Sequence, residues 1–441
     1  MGSARMLVSA STRVGGVVSV PGDKSISHRA LMLGAVAEGT TTVRGFLEGE
    51  DCLATRGALE ALGVAIEQHD NGALTIEGRG LHGLSRPPGP LDLGNSGTAI
   101  RLLTGLLAAQ PFDTTLTGDD SLRKRPMRRV TDRLMAMGAQ IETTDGRAPI
   151  HIHAGATLHG FDHELDIASA QVKSALLLAG LSAAGRTSVR SPGPTRDHTE
   201  RMLASMGVEV AEEPTLHRVA IAGPAVLRGG PIEVPGDFSS AAFFIVAGCL
   251  AAEPELVIEG VGVNPTRTGM LTILEKMGAR IERRNPRMMG AEPVADLVVR
   301  KTLLHGIDVP ADLVPLAIDE FPILFVAAAG ATGRTRVAGA EELRYKESDR
   351  ISVMADALVA VGAGAEETAD GIVIDGGALD GGTVDSHGDH RVAMALAIAS
   401  LLSRGPIEIL NTAQVATSFP GFAATAAHAG IEIDVPSIGA A

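Results

Sequence analysis

The sequence predicts an α/β fold of two lobes, each built from three related units of helix and strand. Three observations predict this fold: a helix, glycine and strand phrase that occurs six times, a second phrase in step with it, and a duplicated Val-Pro-Gly-Asp segment. Internal repeats indicate a fold built from similar structural units. Six such units exceed the strand count of one doubly wound sheet, so two domains of three units are the simplest arrangement.

The first phrase places a glycine between a helical apolar pattern and an alternating one. It reads Leu-Gly-Val-Ala-Ile at residues 62–66 and Met-Gly-Ala-Gln-Ile at residues 137–141. Glycine commonly follows a helix C-terminus, so each copy predicts a helix, a glycine cap and a strand. The six glycines are 68 to 84 residues apart: Gly63, Gly138, Gly207, Gly278, Gly362 and Gly430.

The second phrase is an alanine- and leucine-rich helix end followed by Gly or Pro, a short strand and a loop. Its six copies lie at residues 34–45, 105–118, 178–191, 247–260, 327–339 and 401–411. The Val-Pro-Gly-Asp segment occurs at residues 20–23 and 234–237, and Pro-Gly interrupts regular structure. We expect two crossings between domains there, giving domains 22–235 and, discontinuously, 1–21 with 236–441. Two ordinary turns are the alternative.

Composition excludes several classes of protein. The 441 residues are 45% hydrophobic and 20% charged, which is globular rather than disordered composition. The longest apolar run, residues 241–252, is shorter than the ~20 residues of a membrane span and predicts a buried helix. The first residues contain no apolar stretch of signal-peptide length, and the two cysteines, Cys52 and Cys249, indicate a reduced compartment. We therefore expect a cytoplasmic protein.

Charge argues against nucleic acid as a partner and for a small anionic ligand. The net charge is −14, aromatic residues make up 2% of the chain, and Trp is absent, so the surface repels polyanions and lacks stacking platforms. Residues 121–133 are the exception. A solvated helix face is one interpretation, but an acidic protein favours an anion site. The segment holds six cations, Arg123, Lys124, Arg125, Arg128, Arg129 and Arg133, against Asp132.

Two further segments resemble anion sites at helix starts. In Pro-Gly-Asp-Lys-Ser at residues 21–25, Lys24 and Ser25 fall at a predicted helix N-terminus, where free N–H groups and the helix dipole attract anions, and Arg29 shares a face with Ser25. In residues 93–101, the Asn95 and Gly97 turn permits the backbone approach that an anion nest needs. Simple helix caps are the alternative for each segment, but both together favour a site for several anionic groups.

Carboxylates and cations recur in the second half of the chain. Asp319 and Glu320 precede a very apolar helix, and capping accounts for only one of them. Lys346 and Arg350 are four residues apart, which predicts a repulsive pair on one helix face unless acids or an anionic ligand neutralise it. Glu347 is a candidate neutraliser and a candidate general acid or base. Residues 388–391, Gly-Asp-His-Arg, form another charged helix start.

Other chemistries have weaker support. His151 and His153 share a strand face, but no carboxylate or cysteine has matching spacing for a metal site. No nucleophile elbow is present, and neither cysteine lies in a Cys/His motif, which argues against serine and thiol catalysis.

The motifs PGDKSISHR, LGNSGTAIR, KRPM, SAQ, RYKESDR, GDHR and TSFP, in this order over the whole chain, closely resemble those of the 5-enolpyruvylshikimate-3-phosphate synthases, members of the enolpyruvyl transferase family. The resemblance implies two lobes of three βαβαββ-type units joined by two crossing segments. It also implies transfer of the carboxyvinyl group of phosphoenolpyruvate to the 5-hydroxyl of shikimate 3-phosphate in chorismate and aromatic amino acid biosynthesis. Phosphate would leave through a tetrahedral intermediate, in a monomer without metal or organic cofactor.

The resemblance also assigns roles. The catalytic residues would be Asp319, as base on the 5-hydroxyl, and Glu347 with Lys24, as proton donors to the vinyl carbon. Lobe 22–235 would contribute most of the shikimate 3-phosphate contacts, and the discontinuous lobe the carboxylates and the clamp on the phosphoenolpyruvate carboxylate. Shikimate 3-phosphate would contact Lys24, Ser25, Arg29, Ser169, Ala170, Gln171, Arg196, Asp319 and Lys346. Phosphoenolpyruvate would contact Lys24, Asn95, Gly97, Arg125, Gln171, Arg350 and Arg391.

The chain departs from the common family pattern at several positions. Ala170 stands where many members have Ser, Thr417 where many have Lys, Glu342 where Asn is frequent, and Leu102 where Pro is common. Gly97 is retained, which leaves room for the inhibitor glyphosate. Two alternative functions stay open: enolpyruvyl transfer to UDP-N-acetylglucosamine, and anion binding without catalysis. The enolpyruvyl transferases that act on UDP-N-acetylglucosamine carry a loop cysteine, and residues 111–130 of this chain contain none. An anion-binding protein without catalysis would not need Asp319 and Glu347.

Overall fold

A computed structural model describes residues 4–436 and divides them into two compact units. Unit 1 comprises residues 4–21, Pro235–Met288 and 293–436, and unit 2 comprises Gly22–Val234 and Met289–Glu292. Each unit has its own hydrophobic core. The units differ from the predicted domains at Pro235 and at Met289–Glu292. That segment packs in unit 2, where Glu292 Oε1 lies 2.7 Å from His198 Nδ1.

Thirteen α-helices lie within residues 4–436. They are α1 (Lys24–Val36), α2 (Glu50–Ala61), α3 (Gly97–Leu107), α4 (Asp120–Lys124), α5 (Arg128–Ala136), α6 (Ala170–Gly180), α7 (His198–Ser205), α8 (Phe238–Ala251), α9 (Gly269–Lys276), α10 (Phe321–Ala329), α11 (Arg350–Ala360), α12 (His390–Ala399) and α13 (Phe422–His428).

The same range contains 23 β-strands. They are β1 (Arg5–Val8), β2 (Val14–Ser19), β3 (Thr40–Arg44), β4 (Ala65–Gln68), β5 (Leu74–Glu77), β6 (Leu91–Asp92), β7 (Thr114–Thr117), β8 (Ile141–Thr144), β9 (Arg147–Ile152), β10 (Asp162–Glu164), β11 (Gly185–Arg190), β12 (Val210–Glu213), β13 (Arg218–Gly223), β14 (Pro231–Glu233), β15 (Ala252–Gly262), β16 (Arg280–Met289), β17 (Glu292–Arg300), β18 (Arg334–Val337), β19 (Gly364–Thr368), β20 (Gly371–Asp375), β21 (Gly382–Asp385), β22 (Ile407–Leu410) and β23 (Ile433–Asp434).

The strands of each unit form three sheets with a repeated order. In unit 2 the orders are β14-β3-β5-β4, β6-β7-β9-β8 and β10-β11-β13-β12, each with one parallel pair followed by two antiparallel pairs. In unit 1, β21-β22-β1-β23 repeats this pattern, and β16-β17-β15-β2 contains a parallel β15–β2 pair. The sheet β18-β20-β19 is antiparallel, with an isolated parallel bridge from Asp308 to Arg336 of β18. The predicted fold of two lobes with three units each is therefore confirmed.

The six predicted glycine caps have one conformation. Each lies two residues beyond the end of α2, α5, α7, α9, α11 or α13, with φ between +86° and +105°. A side chain is strained at such a positive φ, so glycine ends each helix and turns the chain toward the next strand.

Three helices in each unit are buried along nearly their whole length: α1, α3 and α6 in unit 2, and α8, α10 and α12 in unit 1. Every residue of α10 is buried, and α8 is the buried helix expected at residues 241–252. No helix between residues 4 and 436 is long and apolar enough to cross a bilayer. Each of these six helices begins at a polar segment noted in the sequence, where backbone N–H groups lack intrahelical acceptors. The motifs KRPM, RYKESDR and TSFP instead lie before or at the starts of α5, α11 and α13.

Candidate active site

The starts of α1, α3 and α6 meet in unit 2. Arg29 Nη2 of α1 donates to Ser174 Oγ of α6 over 2.7 Å, and Gln171 Nε2 of α6 donates to Thr98 Oγ1 of α3 over 3.0 Å. We call the predicted site residues of this unit the cationic cluster: Lys24, Ser25, Arg29, Asn95, Gly97, Arg125, Ser169, Ala170, Gln171 and Arg196.

Lys24 is the first residue of α1 because Asp23 caps the helix, accepting from the Ile26 N–H over 2.9 Å. Its ammonium forms an ion pair with Asp51 of α2, and both side chains are largely buried. The Ser25 carbonyl accepts from Arg29 Nη1 over 2.9 Å. The predicted placement of a cation at a helix N-terminus therefore holds, and a neighbouring helix fixes the position of that cation.

Arg29 is buried, and neutral groups hold its guanidinium. Nε donates to Thr199 Oγ1 over 2.6 Å, Nη2 to Ser174 Oγ and Nη1 to the Ser25 carbonyl. Burial lowers the pKa of Arg29 to about 10, and Glu200 and Asp23 oppose that shift. The side chain stays charged at neutral pH. Within the described residues, two of its five N–H groups remain for a ligand.

The Asn95–Gly97 turn supports two guanidinium groups. Arg125 Nη2 donates to Asn95 Oδ1, whose amide nitrogen donates to Asp119 Oδ2 over 2.7 Å. Arg101 Nη1 donates to Gln171 Oε1 over 2.6 Å. A Cβ atom at Gly97 would lie 2.9 Å from Arg125 Nη1 and 3.0 Å from Arg101 Nη1. The absent side chain therefore makes room for both cations, a reason the turn pattern did not reveal.

The remaining members of the cationic cluster lie on or before α6 and α7. Ser169 caps α6, since its Oγ accepts from the Val172 N–H over 3.4 Å. Ala170 is the first residue of α6 and brings no polar side-chain atom. Arg196 precedes α7, close enough that its charge contributes to lowering the pKa of Arg29.

A second cluster lies in unit 1, at the starts of α10, α11 and α12. We call it the carboxylate cluster: Asp319, Lys346, Glu347, Arg350, Asp389 and Arg391. Its centre is Arg350, only 1% exposed. Arg350 Nε contacts Asp389 Oδ2 at 2.8 Å, Nη2 contacts Glu347 Oε2 at 2.6 Å, and Nη1 lies 3.6 Å from Asp319 Oδ1.

Asp319 also contacts Lys346 and Arg391. Lys346 Nζ lies 3.5 Å from Asp319 Oδ1, and Arg391 Nη1 donates to the Asp319 backbone carbonyl over 3.2 Å. The prediction that Lys346 and Arg350 share one helix face is wrong. Asp349 caps α11 by accepting from two backbone N–H groups, so the helix begins at Arg350, and Lys346 follows the 3₁₀ turn Glu341–Tyr345. Asp319, rather than a helix, brings the two cations together.

Burial and ion pairing have opposite effects on the pKa of Arg350 and on the pKa of Asp389. Burial disfavours the charged guanidinium, but the charges of Asp389, Glu347 and Asp319 outweigh it and raise the pKa of Arg350. Burial likewise disfavours the Asp389 carboxylate, and Arg350 outweighs that effect, so the pKa of Asp389 lies below its ordinary value. Both groups are therefore charged at neutral pH, and they form a buried ion pair at the centre of the cluster.

Sequence reasoning missed the partners of the predicted residues. Asp51 holds Lys24, Ser174 and Thr199 hold Arg29, and Arg101 holds Gln171. Arg101 and Asp389 stand inside quoted motifs, so the motifs themselves were a signal for them. Asp51 and Thr199 have no local signal, because their pairing depends on how α2 and α7 pack against α1.

Comparisons with known proteins agree over the whole chain. A family model described as EPSP synthase (3-phosphoshikimate 1-carboxyvinyltransferase) matches residues 8–425. The 3-phosphoshikimate 1-carboxyvinyltransferase of Acidithiobacillus ferrooxidans (strain ATCC 53993 / BNL-5-31) is 58% identical over 433 residues, 98% of this chain and 99% of the relative. The enzyme of that name from Nitrosococcus oceani is 58% identical over 419 residues, 95% of this chain and 94% of the relative.

A solved structure is also similar over nearly the whole chain. EPSP synthase from Acinetobacter baumannii superposes with a TM-score of 0.88 at 50% sequence identity, covering 99% of this chain and 100% of that one. Both its fold and its sequence match, so the likeness is more than architectural. With a family model over most of the chain and relatives at more than half identity, this chain belongs to the EPSP synthase family.

Proposed function

We propose that this chain transfers the carboxyvinyl group of phosphoenolpyruvate to the 5-hydroxyl of shikimate 3-phosphate and releases phosphate. Membership in the EPSP synthase family supports the reaction. The observation that carries the assignment of roles is the carboxylate cluster, where Asp319 and Glu347 are both held by Arg350. An anion-binding protein without catalysis would need the cations but not these two carboxylates.

The cationic cluster binds the phosphate groups in this proposal. Arg125, Gln171 and Lys24 hold the phosphate of phosphoenolpyruvate beside Asn95 and Gly97. The shikimate 3-phosphate contacts are Lys24, Ser25, Arg29, Ser169, Ala170, Gln171 and Arg196, with Asp319 and Lys346 from unit 1. Arg29 suits this role because its guanidinium donates hydrogen bonds to neutral hydroxyl and carbonyl groups rather than to a carboxylate. An arginine that is already oriented loses little entropy when it binds an oxyanion.

The carboxylate cluster performs the proton transfers. Asp319 accepts the proton of the 5-hydroxyl as that oxygen attacks C2 of phosphoenolpyruvate, and Glu347, with Lys24, delivers a proton to C3. The tetrahedral intermediate then loses phosphate and one C3 proton, which restores the vinyl group. Arg350 and Arg391 pair with the phosphoenolpyruvate carboxylate as charge-assisted hydrogen-bond donors. Arg350 offers Nη1, which has no hydrogen-bond partner among the described residues. Fixed charges of this kind stabilise the transition state without reorganisation.

The test is phosphate release from phosphoenolpyruvate with shikimate 3-phosphate or UDP-N-acetylglucosamine as acceptor. We expect turnover with the first acceptor only. Asp319→Asn should lower kcat by about 10²-fold or more, the scale of a lost general base, and leave shikimate 3-phosphate binding largely intact. Binding can be followed by the fluorescence of Tyr345, the single tyrosine, which is 53% exposed and adjacent to Lys346. Turnover with the nucleotide sugar, or full turnover of the variant, would contradict the assignment.

Three accompanying predictions rest on composition and family resemblance. We propose that the enzyme is a monomer, that it acts in the cytoplasm, and that it has no nucleic-acid partner. The net charge of −14 and the low aromatic content support the last of these.

A further inference from the structure

A buried polar network in unit 1 lies next to Asp319 and has no place in the mechanism above. Arg267 Nη2 donates to Ser239 Oγ over 2.7 Å, and Ser239 Oγ donates to Glu320 Oε1. Arg267 Nη2 also lies 3.6 Å from Glu320 Oε1 and 3.5 Å from Asp237 Oδ1. Arg267, Ser239 and Glu320 are each exposed by 3% or less. We call these three residues, with Asp237, the buried network.

The duplicated Pro-Gly-Asp segment allows the start of α8, where the buried network lies, to be compared with the start of α1. Asp23 caps α1 and Asp237 caps α8 in the same way, each accepting from the backbone N–H three residues on. The next residue is Lys24 in the first copy, which keeps part of its side chain exposed, and Phe238 in the second, which is fully buried. The start of α8 thus lacks the counterpart of Lys24, and its polar groups bond to one another. The contacts of the buried network are therefore internal ones, which connect the start of α8 to the residue before α10.

The buried network acts on the residue that follows Asp319. Glu320 occupies the N-cap position of α10, but its side chain makes no cap hydrogen bond and instead reaches Ser239 on α8. One buried oxygen, Glu320 Oε2, has no hydrogen-bond partner among the described residues. A carboxylate kept in the core at such a cost in desolvation is held by Ser239 and Arg267, so its position is tightly defined.

Two anchors therefore flank the Asp319 backbone. Arg391 binds its carbonyl oxygen, and the buried network holds the next residue. Loss of the second anchor would let the start of α10 shift and would change the 3.5 and 3.6 Å separations between Asp319 Oδ1 and the cations Lys346 and Arg350.

We propose that Ser239, Arg267 and Glu320 are positioning residues for the transferase reaction, fixing the Asp319 carboxylate where it accepts the substrate proton. The inference rests on the proposed role of Asp319 as the base. A displacement of about 1 Å at a reacting group can cost about 10²-fold in rate. Holding Asp319 in place therefore offsets the desolvation cost of the buried network.

Ser239→Ala is the principal test because it removes one hydroxyl and leaves every buried charge in place. We expect kcat to fall about tenfold or more while both KM values change less than about threefold, the pattern of an interaction lost from the transition state alone. The matched control is Ser400→Ala. Ser400 is fully buried, its hydroxyl donates to the Ala397 carbonyl over 2.7 Å, and it follows the C-terminus of α12, opposite the Arg391 end. Both variants are assayed well below their melting temperatures, and the control should keep wild-type kcat.

A double-mutant cycle with Asp319→Asn tests whether the buried network acts through Asp319. If it does, Ser239→Ala should cost nothing further in the Asp319→Asn background. Arg267→Lys should retain more kcat than Arg267→Met, because it keeps the buried charge. Unchanged kcat in Ser239→Ala, or a full additional loss in the double variant, would overturn the proposal. Full turnover of Asp319→Asn alone would instead remove the base assignment and the proposal with it, so the two failures are distinguishable.

Discussion

The two clusters use buried arginine in opposite ways. Arg29 in unit 2 is bonded to two hydroxyls and a carbonyl, and burial lowers its pKa to about 10. Arg350 in unit 1 is surrounded by Asp319, Glu347 and Asp389, whose charges raise its pKa in spite of burial. The hydrogen-bond partners of the first arginine are neutral groups, whereas the second is already paired with three carboxylates. This difference supports the proposed roles, phosphate binding by unit 2 and proton transfer by unit 1.

Removing each arginine should have the largest effect and should lower the stability of the protein by different amounts in the two units. Arg350→Met leaves Asp389 fully buried without its cation, and we expect the free energy of unfolding to fall by about 3–5 kcal/mol, the usual cost of breaking a buried ion pair. Arg29→Met leaves only neutral partners unsatisfied and should cost about 1–3 kcal/mol. Urea unfolding followed by circular dichroism measures both.

A third variant separates charge from packing in the same experiment. Asp389→Asn introduced into Arg350→Met removes the stranded charge, so it should recover part of the lost stability. Equal losses for the two arginine variants, or no recovery in the double variant, would show that the two sites do not differ in the way their bonding indicates.

The sequence predicts the elements of these clusters better than their connections. The six glycine caps and the polar motifs at helix starts depend on residues close together in the chain, and local spacing reveals them. Arg29 and Thr199 are 170 positions apart, and Arg350 and Asp389 are 39 apart, so only the packing of helices joins them. The error at Lys346 is also physical, because the Asp349 cap starts α11 later than the charge spacing suggested.

Gly97→Ala tests whether the cationic cluster contributes to binding of phosphoenolpyruvate. The new methyl group would approach Arg125 Nη1 and Arg101 Nη1 to about 3 Å, and both guanidinium ends can move away, so binding should suffer more than stability. We expect the KM for phosphoenolpyruvate to rise about tenfold, equivalent to about 1.4 kcal/mol. Steady-state kinetics with saturating shikimate 3-phosphate measures the change.

Gly57→Ala is the matched control for that variant. Gly57 lies inside α2, and nothing stands within 4 Å of the Cβ that alanine would add. It should leave KM unchanged and raise stability by about 0.5–1 kcal/mol, because alanine loses less backbone entropy than glycine in a helix. A similar rise in KM for both variants would contradict a local effect at Gly97.

The smallest expected effect is a pH dependence of stability that originates in unit 2. His28 of α1 is buried, with Nδ1 2.8 Å from Thr55 Oγ1, and burial, followed by the charges of Lys24 and Arg29, lowers its pKa well below 6.5 despite Asp23. Burial likewise lowers the pKa of His163 to about 4.

Below pH 6.5 the unfolded chain binds these protons and the folded chain does not, so stability falls as pH falls. Between pH 7 and 5.5 both histidines should therefore lower the free energy of unfolding. His28→Asn should reduce the loss of stability over this interval in urea titrations, and His163→Gln should reduce it in the same direction. A pH dependence that both variants leave unchanged would place its origin in the carboxylates instead. Asp389 in unit 1 argues against that origin, because its lowered pKa confines its contribution to more acidic pH.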